Sequence, residues 1–483
     1  MEMDLGSSGR RLRPRRSSPE RDGDNGEGRI GALPDALLVL VLSWLGSTAE
    51  VARTSLVSPR WRSLWPELPV LVFRGIGPDT LADLLAKARH PNLSRLELQI
   101  PRQDPGVPAS RISSLLRAAD EHNPEEVVFN VGGSDDDGVP FELPFFARAT
   151  SIDLRIWNRR FVLPPAGVFS TLEKLSLSLC RVEPSEFLPR CPCLRVLDVD
   201  CYWLKGDVDV RSDSLEELVL RDVPNRDAVY RMQRRVYIVA PRLKKFKLQS
   251  YGHAEMKASF SAPAPMMETL SLRYCSIFSR GVGFTRHWRL MGLNTTMEWW
   301  GRDGQLSNPV RVRVLSLVIV YHTNYHAVDR TFGEEILRLP VNNFSILKLE
   351  LRSMWHVFGE VVFDLLKTLN AIQRLELVLP QTMDHVWTPR RRFHYNPDGW
   401  TNEHILLPHL EELEIERFHV IDHDIDMVKL LFTSAPELKT VRIQLFASVS
   451  QSDPGYKELC SVFWKNTSAK CYVNGRLEEP EEN

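Results

Sequence analysis

No apolar run in the chain approaches the roughly 20 residues needed to span a bilayer, and Leu37–Leu42 is the nearest to one. A signal-peptide apolar core is also missing, because residues 1–28 are rich in Gly, Ser, Arg and Asp and nearly free of apolar side chains. A segment of that composition cannot bury enough surface to offset its ordering entropy and is expected to stay disordered. Charge of one sign is not in excess: 61 basic against 62 acidic residues leave a formal net charge of -1, which gives no global pull toward nucleic acid. The seven cysteines are odd in number and follow no secretion signal, so they read as reduced thiols of the cytoplasm or nucleus. Within the first 28 residues, the cluster Arg10–Arg16 reads either as a nuclear import signal or as a solvated tail.

Catalytic patterns are equally scarce. Neither a glycine-rich phosphate loop nor a G-x-S-x-G elbow occurs. His322 and His326 lie four apart but lack the glutamate that a metalloprotease helix sets beside the first histidine. Asp135-Asp136-Asp137 lacks the alternating spacing of a calcium loop. Cys191-x-Cys193, with Cys180 and Cys201, invites a zinc reading, but zinc needs four converging ligands and a repeat frame accounts for these positions better. No catalytic residue, cofactor or metal is expected.

The chain is organised around Leu33–Phe73. Pro34 suits a first helical position, and Leu37, Leu38, Val41, Leu42, Trp44 and Leu45 follow at helical spacing, with Val39 and Leu40 filling much of the remaining circumference. A helix so apolar in a globular protein needs cover on nearly every side. Gly46 stops it, and Ser47 with Glu50 forms a capping box that opens a second helix. Ser58 and Pro59 open a third, which carries Trp61, Leu64 and Trp65 on one face and ends at Pro66 and Pro69. Three helices in about 35 residues are too small for a core of their own. The stretch is therefore either a cap on the rest of the chain or a helix-in-groove docking module.

Beyond it one phrase is repeated to the end of the chain: apolar, two residues, apolar, one residue, apolar. Clear copies start at Leu93, Leu172, Leu194, Leu215, Leu243, Met267, Val312, Phe344, Ile372, Leu410 and Leu438, with weaker ones around Val127-Phe129 and Ile152-Leu154. That makes 13 expected strands, each with period-2 alternation. From 127 to 218 the middle residues fall 25, 23, 22 and 21 apart, a leucine-rich-repeat period. Pro91, Pro192, Pro241, Pro265, Pro408 and Pro436 each stand two residues before a first apolar position, ending the preceding segment. A short strand cannot bury its face alone, so stacked copies make one continuous core.

Three segments interrupt the phrase: Gly132–Gly138, Phe278–Val310 and Met383–Glu403, the last two rich in Arg and Trp. They read as binding insertions or as padding. Near the end, Asp422-His423-Asp424 reads as an exposed helix start. Ile425, Val428, Leu431 and Phe432 then predict a helix that covers the last strands and closes the sheet edge.

Leu33-Pro34-x-x-Leu37-x-x-x-Val41-Leu42, Val57-Ser58-x-x-Trp61 and Leu64-Trp65 resemble the F-box of plant F-box/leucine-rich-repeat proteins. Ala36 departs from that pattern, where an acidic residue is frequent, as does Pro59, where a basic one is. Leu413-Glu414-Ile415, Phe418, Asp422–Ile425, Val428, Leu430-Leu431-Phe432, Ala435-Pro436-x-Leu438 and Val441-x-Ile443 resemble the FBD region that ends many of them. The resemblance implies an α/β fold: a small three-helix F-box followed by an irregular leucine-rich-repeat solenoid. Its expected divisions are 1–28 as a basic tail, 29–73 as F-box, 74–408 as repeats and 409–483 as FBD-like repeats and cap. It further implies a non-catalytic substrate receptor of an SCF-type cullin–RING ubiquitin ligase. Leu33, Pro34, Leu37, Val41, Leu42, Trp61, Leu64 and Trp65 would dock the adaptor subunit, and through it cullin, while the repeats hold a target protein. Neither nucleic acid nor membrane is an expected partner. The alternative is a leucine-rich scaffold without ubiquitin chemistry, its helical stretch a mere cap. A small-molecule pocket within the receptor reading would draw on Arg273, Tyr274, Arg352 and the Phe278–Val310 segment.

Overall fold

The computed structural model describes residues 33–43, 64–103, 106–133, 138–181, 183–201, 207–222, 234–250, 256–260, 266–273, 275–276, 282–283, 288–300, 310–321, 330–331, 336, 339–341, 343–353, 358–381, 400 and 404–478. The expected second helix, the expected third helix before Leu64 with its Trp61, the Arg10–Arg16 cluster, Asp135–Asp137, His322, His326, Tyr274 and all of Met383–Glu403 but Trp400 lie outside these residues.

The molecule is mixed α/β, built on one large, mostly parallel sheet of 17 strands. In chain order these are β1 (Val70–Arg74), β2 (Arg95–Ile100), β3 (Glu126–Val131), β4 (Ser151–Ile156), β5 (Lys174–Ser178), β6 (Val196–Cys201), β7 (Glu217–Asp222), β8 (Lys245–Ser250) and β9 (Thr269–Arg273). Then come β10 (Trp288–Trp300), β11 (Val310–Tyr321), β12 (Ile346–Arg352), β13 (Arg374–Val378), β14 (Glu412–Phe418), β15 (Thr440–Leu445), β16 (Lys470–Val473) and β17 (Arg476–Leu477). Each strand pairs with the next in sequence, as Leu96 with Val127, Val127 with Ile152 and Leu375 with Leu413. All 13 copies of the repeated phrase are strands of this sheet.

The register explains why the phrase recurs. The middle apolar residue of each copy stands beside the middle residue of the next, so Leu175, Leu197, Leu218, Phe246 and Leu270 form one buried row. The last apolar residues, Leu177, Val199, Leu220, Leu248 and Leu272, form a second. Period-2 alternation puts both rows on one face, where each fully buried leucine contributes about 1.5–3 kcal/mol. The first apolar residue closes a turn. In Cys191-Pro192-Cys193-Leu194, Ala240-Pro241-Arg242-Leu243, Leu407-Pro408-His409-Leu410 and Ala435-Pro436-Glu437-Leu438, the fourth residue's N–H donates to the first residue's carbonyl at 3.1–3.3 Å. Proline at the second position pre-sets the φ that such a turn requires.

Helices lie on the apolar side: α1 (Asp35–Ser43), α2 (Pro78–Lys87), α3 (Ala109–Asp120), α4 (Pro184–Phe187), α5 (Gly359–Thr368), α6 (Asp422–Ser434) and α7 (Pro454–Lys465). Strands Val208–Arg211, Arg234–Val239, Met256–Phe260 and Cys275–Ser276 add a second, four-stranded parallel sheet along the connections.

Three expectations are corrected. Phe278–Val310 is not simply an insertion, because Trp288–Trp300 is the long strand β10 of the main sheet, antiparallel to both β9 and β11. Its Thr295 occupies a core position, fully buried, and its hydroxyl accepts the Leu270 N–H at 2.8 Å. Asp422-His423-Asp424 does start a helix, but not an exposed one: His423 and Asp424 are buried. The Asp424 carboxylate accepts the His419 N–H at 3.0 Å, and His423 Nε2 accepts the Gly359 N–H at 3.3 Å between Phe358 and Trp400. Polarity alone did not reveal that these side chains satisfy backbone donors inside the core. Helix α6 does bury Ile425, Val428 and Leu431. The sheet edge, however, is closed by the β16–β17 hairpin, turned by Asn474 and Gly475 at φ +48° and +79°.

Candidate docking surface

Helix α1 reads DALLVLVLS. It begins where the Pro34 carbonyl accepts the N–H groups of Leu37 (3.0 Å) and Leu38 (3.2 Å), and Asp35 in its first turn complements the helix dipole. From Ala36 to Leu42 no side chain is polar, so periodicity could not say which side faces in. Packing decides. Leu38 and Leu42, one turn apart, are buried in one core with Leu64, Leu68 and Leu71 of β1. On the other side Leu37, Leu40 and Val41 are 46%, 50% and 37% exposed. Pro34, three residues before Leu37, is exposed as well.

The eight expected docking residues therefore divide. Pro34, Leu37 and Val41 share the outward side, and Leu33 is half-buried. Leu42 and Leu64 belong to the internal core. Trp65 is half-buried and meets Phe73 of β1 edge-on, ring centroids 6.3 Å apart. It opens the 3-10 turn Trp65–Glu67, which Pro66 and Pro69 keep short. Leu40 shares this exposed side but was not among the candidates; its only signal was that it filled the circumference of an all-apolar helix. The outward side has no hydrogen-bonding side chain to offer, so what it can do is bury against an apolar groove.

The opposite face of the strand ladder is polar and laced by cross-strand ion pairs. Arg374 reaches Glu376 (2.9 Å), Glu412 (3.5 Å) and Glu414 (2.7 Å), while Lys348 bridges Glu298 (3.2 Å) and Glu376 (3.4 Å). Arg74 and Arg95 hold Glu97 at 2.6 and 3.1 Å. Burial alone would lift the Glu97 carboxyl, but these two guanidinium groups outweigh it and hold it below its ordinary value. Arg273 and Arg352, candidates for a small-molecule pocket, stand on β9 and β12 with two strands between them, roughly 14 Å apart across the sheet.

Cys191 and Cys193 sit on either side of one tight turn, the first buried and the second exposed. Burial pushes the Cys180 and Cys191 thiols up to about 12, which keeps them protonated. Among the described residues no group of three or more His, Cys, Asp or Glu is arranged to hold a metal ion.

Comparison with known proteins matches residues 30–73 to the F-box domain. Over 256 residues the chain is 27% identical to a putative F-box/FBD/LRR-repeat protein of Arabidopsis thaliana, covering 48% of each chain. It is 28% identical over 229 residues to F-box/LRR-repeat protein 25 of that plant, covering 46% of this chain and 85% of the relative. With a putative F-box protein of the same plant it shares 33% identity over 85 residues, which are 16% of this chain and 71% of the relative. The first of these matches thus spans about half the length of the relative.

Proposed function

The chain belongs to the plant F-box/leucine-rich-repeat proteins with an FBD-like C-terminal region, and from that membership we propose that it is the substrate-recognition subunit of an SCF-type cullin–RING ubiquitin ligase. In this reading the outward side of α1 docks the adaptor subunit, and cullin joins through it. The ladder, read as an irregular solenoid of leucine-rich repeats, holds a target protein. Ubiquitin is transferred by other subunits, and the chain contributes proximity by raising the effective concentration of the target.

The observation that carries the docking assignment is the exposure of Leu37, Leu40 and Val41 on a helix whose other side is locked into the core. A mere cap would turn polar residues outward, as terminal repeats do. This favours docking over the scaffold alternative. Helix α1 packs against the Trp65–Glu67 turn that leads into β1, so in this reading the adaptor would be held next to the first strand.

Co-purification of the full chain with a plant adaptor subunit, beside a deletion of residues 33–73, tests the reading. Recovery with the intact chain and loss on deletion is the expected result. A folded intact chain that recovers no adaptor refutes it and leaves the scaffold.

A further inference from the structure

Strands β10 and β11 run past their neighbours. Pairing of β10 with β9 spans Gly292–Asn294, and pairing of β11 with β12 starts at Val314. Among the described residues the rungs Glu298–Val312, Trp299–Arg311 and Trp300–Val310 are therefore made by two strands alone, beyond the Arg313 carbonyl that accepts the Ser345 N–H at 2.9 Å. At about 3.4 Å per residue they carry the pair roughly 10 Å beyond the sheet.

A two-stranded ribbon is marginal by itself. This one is held on one side, where Trp300, Val312, Val314 and Ile346 form a small buried cluster and Glu298 is committed to Lys348 at 3.2 Å. The other side continues the core face outward. Leu293 and Leu317 are buried, Met297 is half-buried, and at the end Trp299 is 71% exposed opposite Arg311, also exposed. Arg311 makes no ion pair among the described residues, and the carboxylate of this arm, Glu298, points to the opposite side. Trp, Met and Arg are the residue types enriched in protein interfaces and their hot spots.

We propose that Trp299, Met297 and Arg311 form the contact by which the ladder grips its target protein, and that the target presents an apolar pocket rimmed by carboxylates. This rests on the receptor reading above and deepens it. Trp299 supplies apolar area to the pocket, and Arg311, one rung across, selects the rim by charge.

The test is a selection of displayed random peptides of about twelve residues on the full chain, in parallel on wild type, Trp299→Ala and Arg311→Glu. Wild type is expected to enrich peptides with one large apolar residue flanked by Asp or Glu. These should bind Trp299→Ala roughly tenfold or more weakly, and Arg311→Glu should shift the enriched charge to Lys and Arg. No enrichment on wild type, enrichment of neutral or basic sequences, or equal binding by Trp299→Ala overturns the proposal. Both side chains are exposed, so thermal unfolding should be unchanged, which separates lost contact from lost fold. Adaptor co-purification of all three proteins reads the ligase assignment independently. If the adaptor fails to bind, that assignment falls, while the selection on the free chain still decides the arm.

Discussion

Replacing Leu37, Leu40 and Val41 together by alanine separates docking from folding. Complete burial of a leucine or valine side chain is worth about 1.5–3 kcal/mol, and these three retain 46%, 50% and 37% of their exposure. Each therefore has about 1 kcal/mol left to gain when a partner covers it, or about 3 kcal/mol for the three, which is a factor of about 150 in Kd. Leu37→Ala alone should cost about 1–2 kcal/mol, since truncation at an interface also leaves the partner's groove unfilled. Leu38→Ala is the contrasting change. Its side chain is fully buried, so the loss should fall on folding, about 2–5 kcal/mol, with the properly folded fraction binding adaptor normally. Calorimetric titration of purified adaptor into each variant, beside urea unfolding, gives both quantities. An unchanged Kd for the triple variant would refute the assignment of this side of α1, and a large loss of its stability would refute the division into inner and outer sides.

Other perturbations test the ladder. A Cβ on Gly359 would lie 2.3 Å from the Trp400 ring, so Gly359→Ala should destabilise by about 1–3 kcal/mol in denaturant unfolding and alter Trp400 fluorescence. Arg374→Met leaves three carboxylates facing one another and should cost about 1–2 kcal/mol at low salt, shrinking in 1 M salt. Because the Glu97 carboxyl is held low, its stabilising effect is present above the ordinary carboxylate range and lost as pH falls through its own lowered value. Glu97→Gln should therefore flatten the acid limb of stability against pH by on the order of 1 kcal/mol. Alkylation of the native protein near pH 8, read by peptide mass, should label exposed Cys193 and spare Cys180 and Cys191, whose thiols titrate near 12.

The strand ladder was legible because its phrase is a direct image of its register: two buried rows require two apolar positions per strand at fixed offset. Where the chain breaks that geometry the phrase fails. Strand β10 runs antiparallel, shifts register between Leu290 and Gly292, and puts Thr295 in the core, so its apolar residues do not alternate. Strand β1 was hidden behind Pro66 and Pro69, which read as the end of a helix and nothing more. The closing hairpin could have been found, since Asn474-Gly475 is the dipeptide such a turn demands. On α1 the sequence marked the helix but not its sides, because only burial in the folded core distinguishes Leu38 from Leu37.

Strict pairing of each strand with its sequence neighbour makes the sheet a ruler. Strands are spaced about 4.8 Å apart, so the ninth step from β1, at β10, lies roughly 43 Å along the sheet from its first strand. Gaining or losing one repeat moves every later strand by one tick, about 5 Å, without disturbing the packing of either neighbour's rows. Reach is thereby adjustable in whole steps, independently of what is gripped. Under the proposed receptor role, a family built this way would place targets of different size before the same ligase by changing repeat number alone.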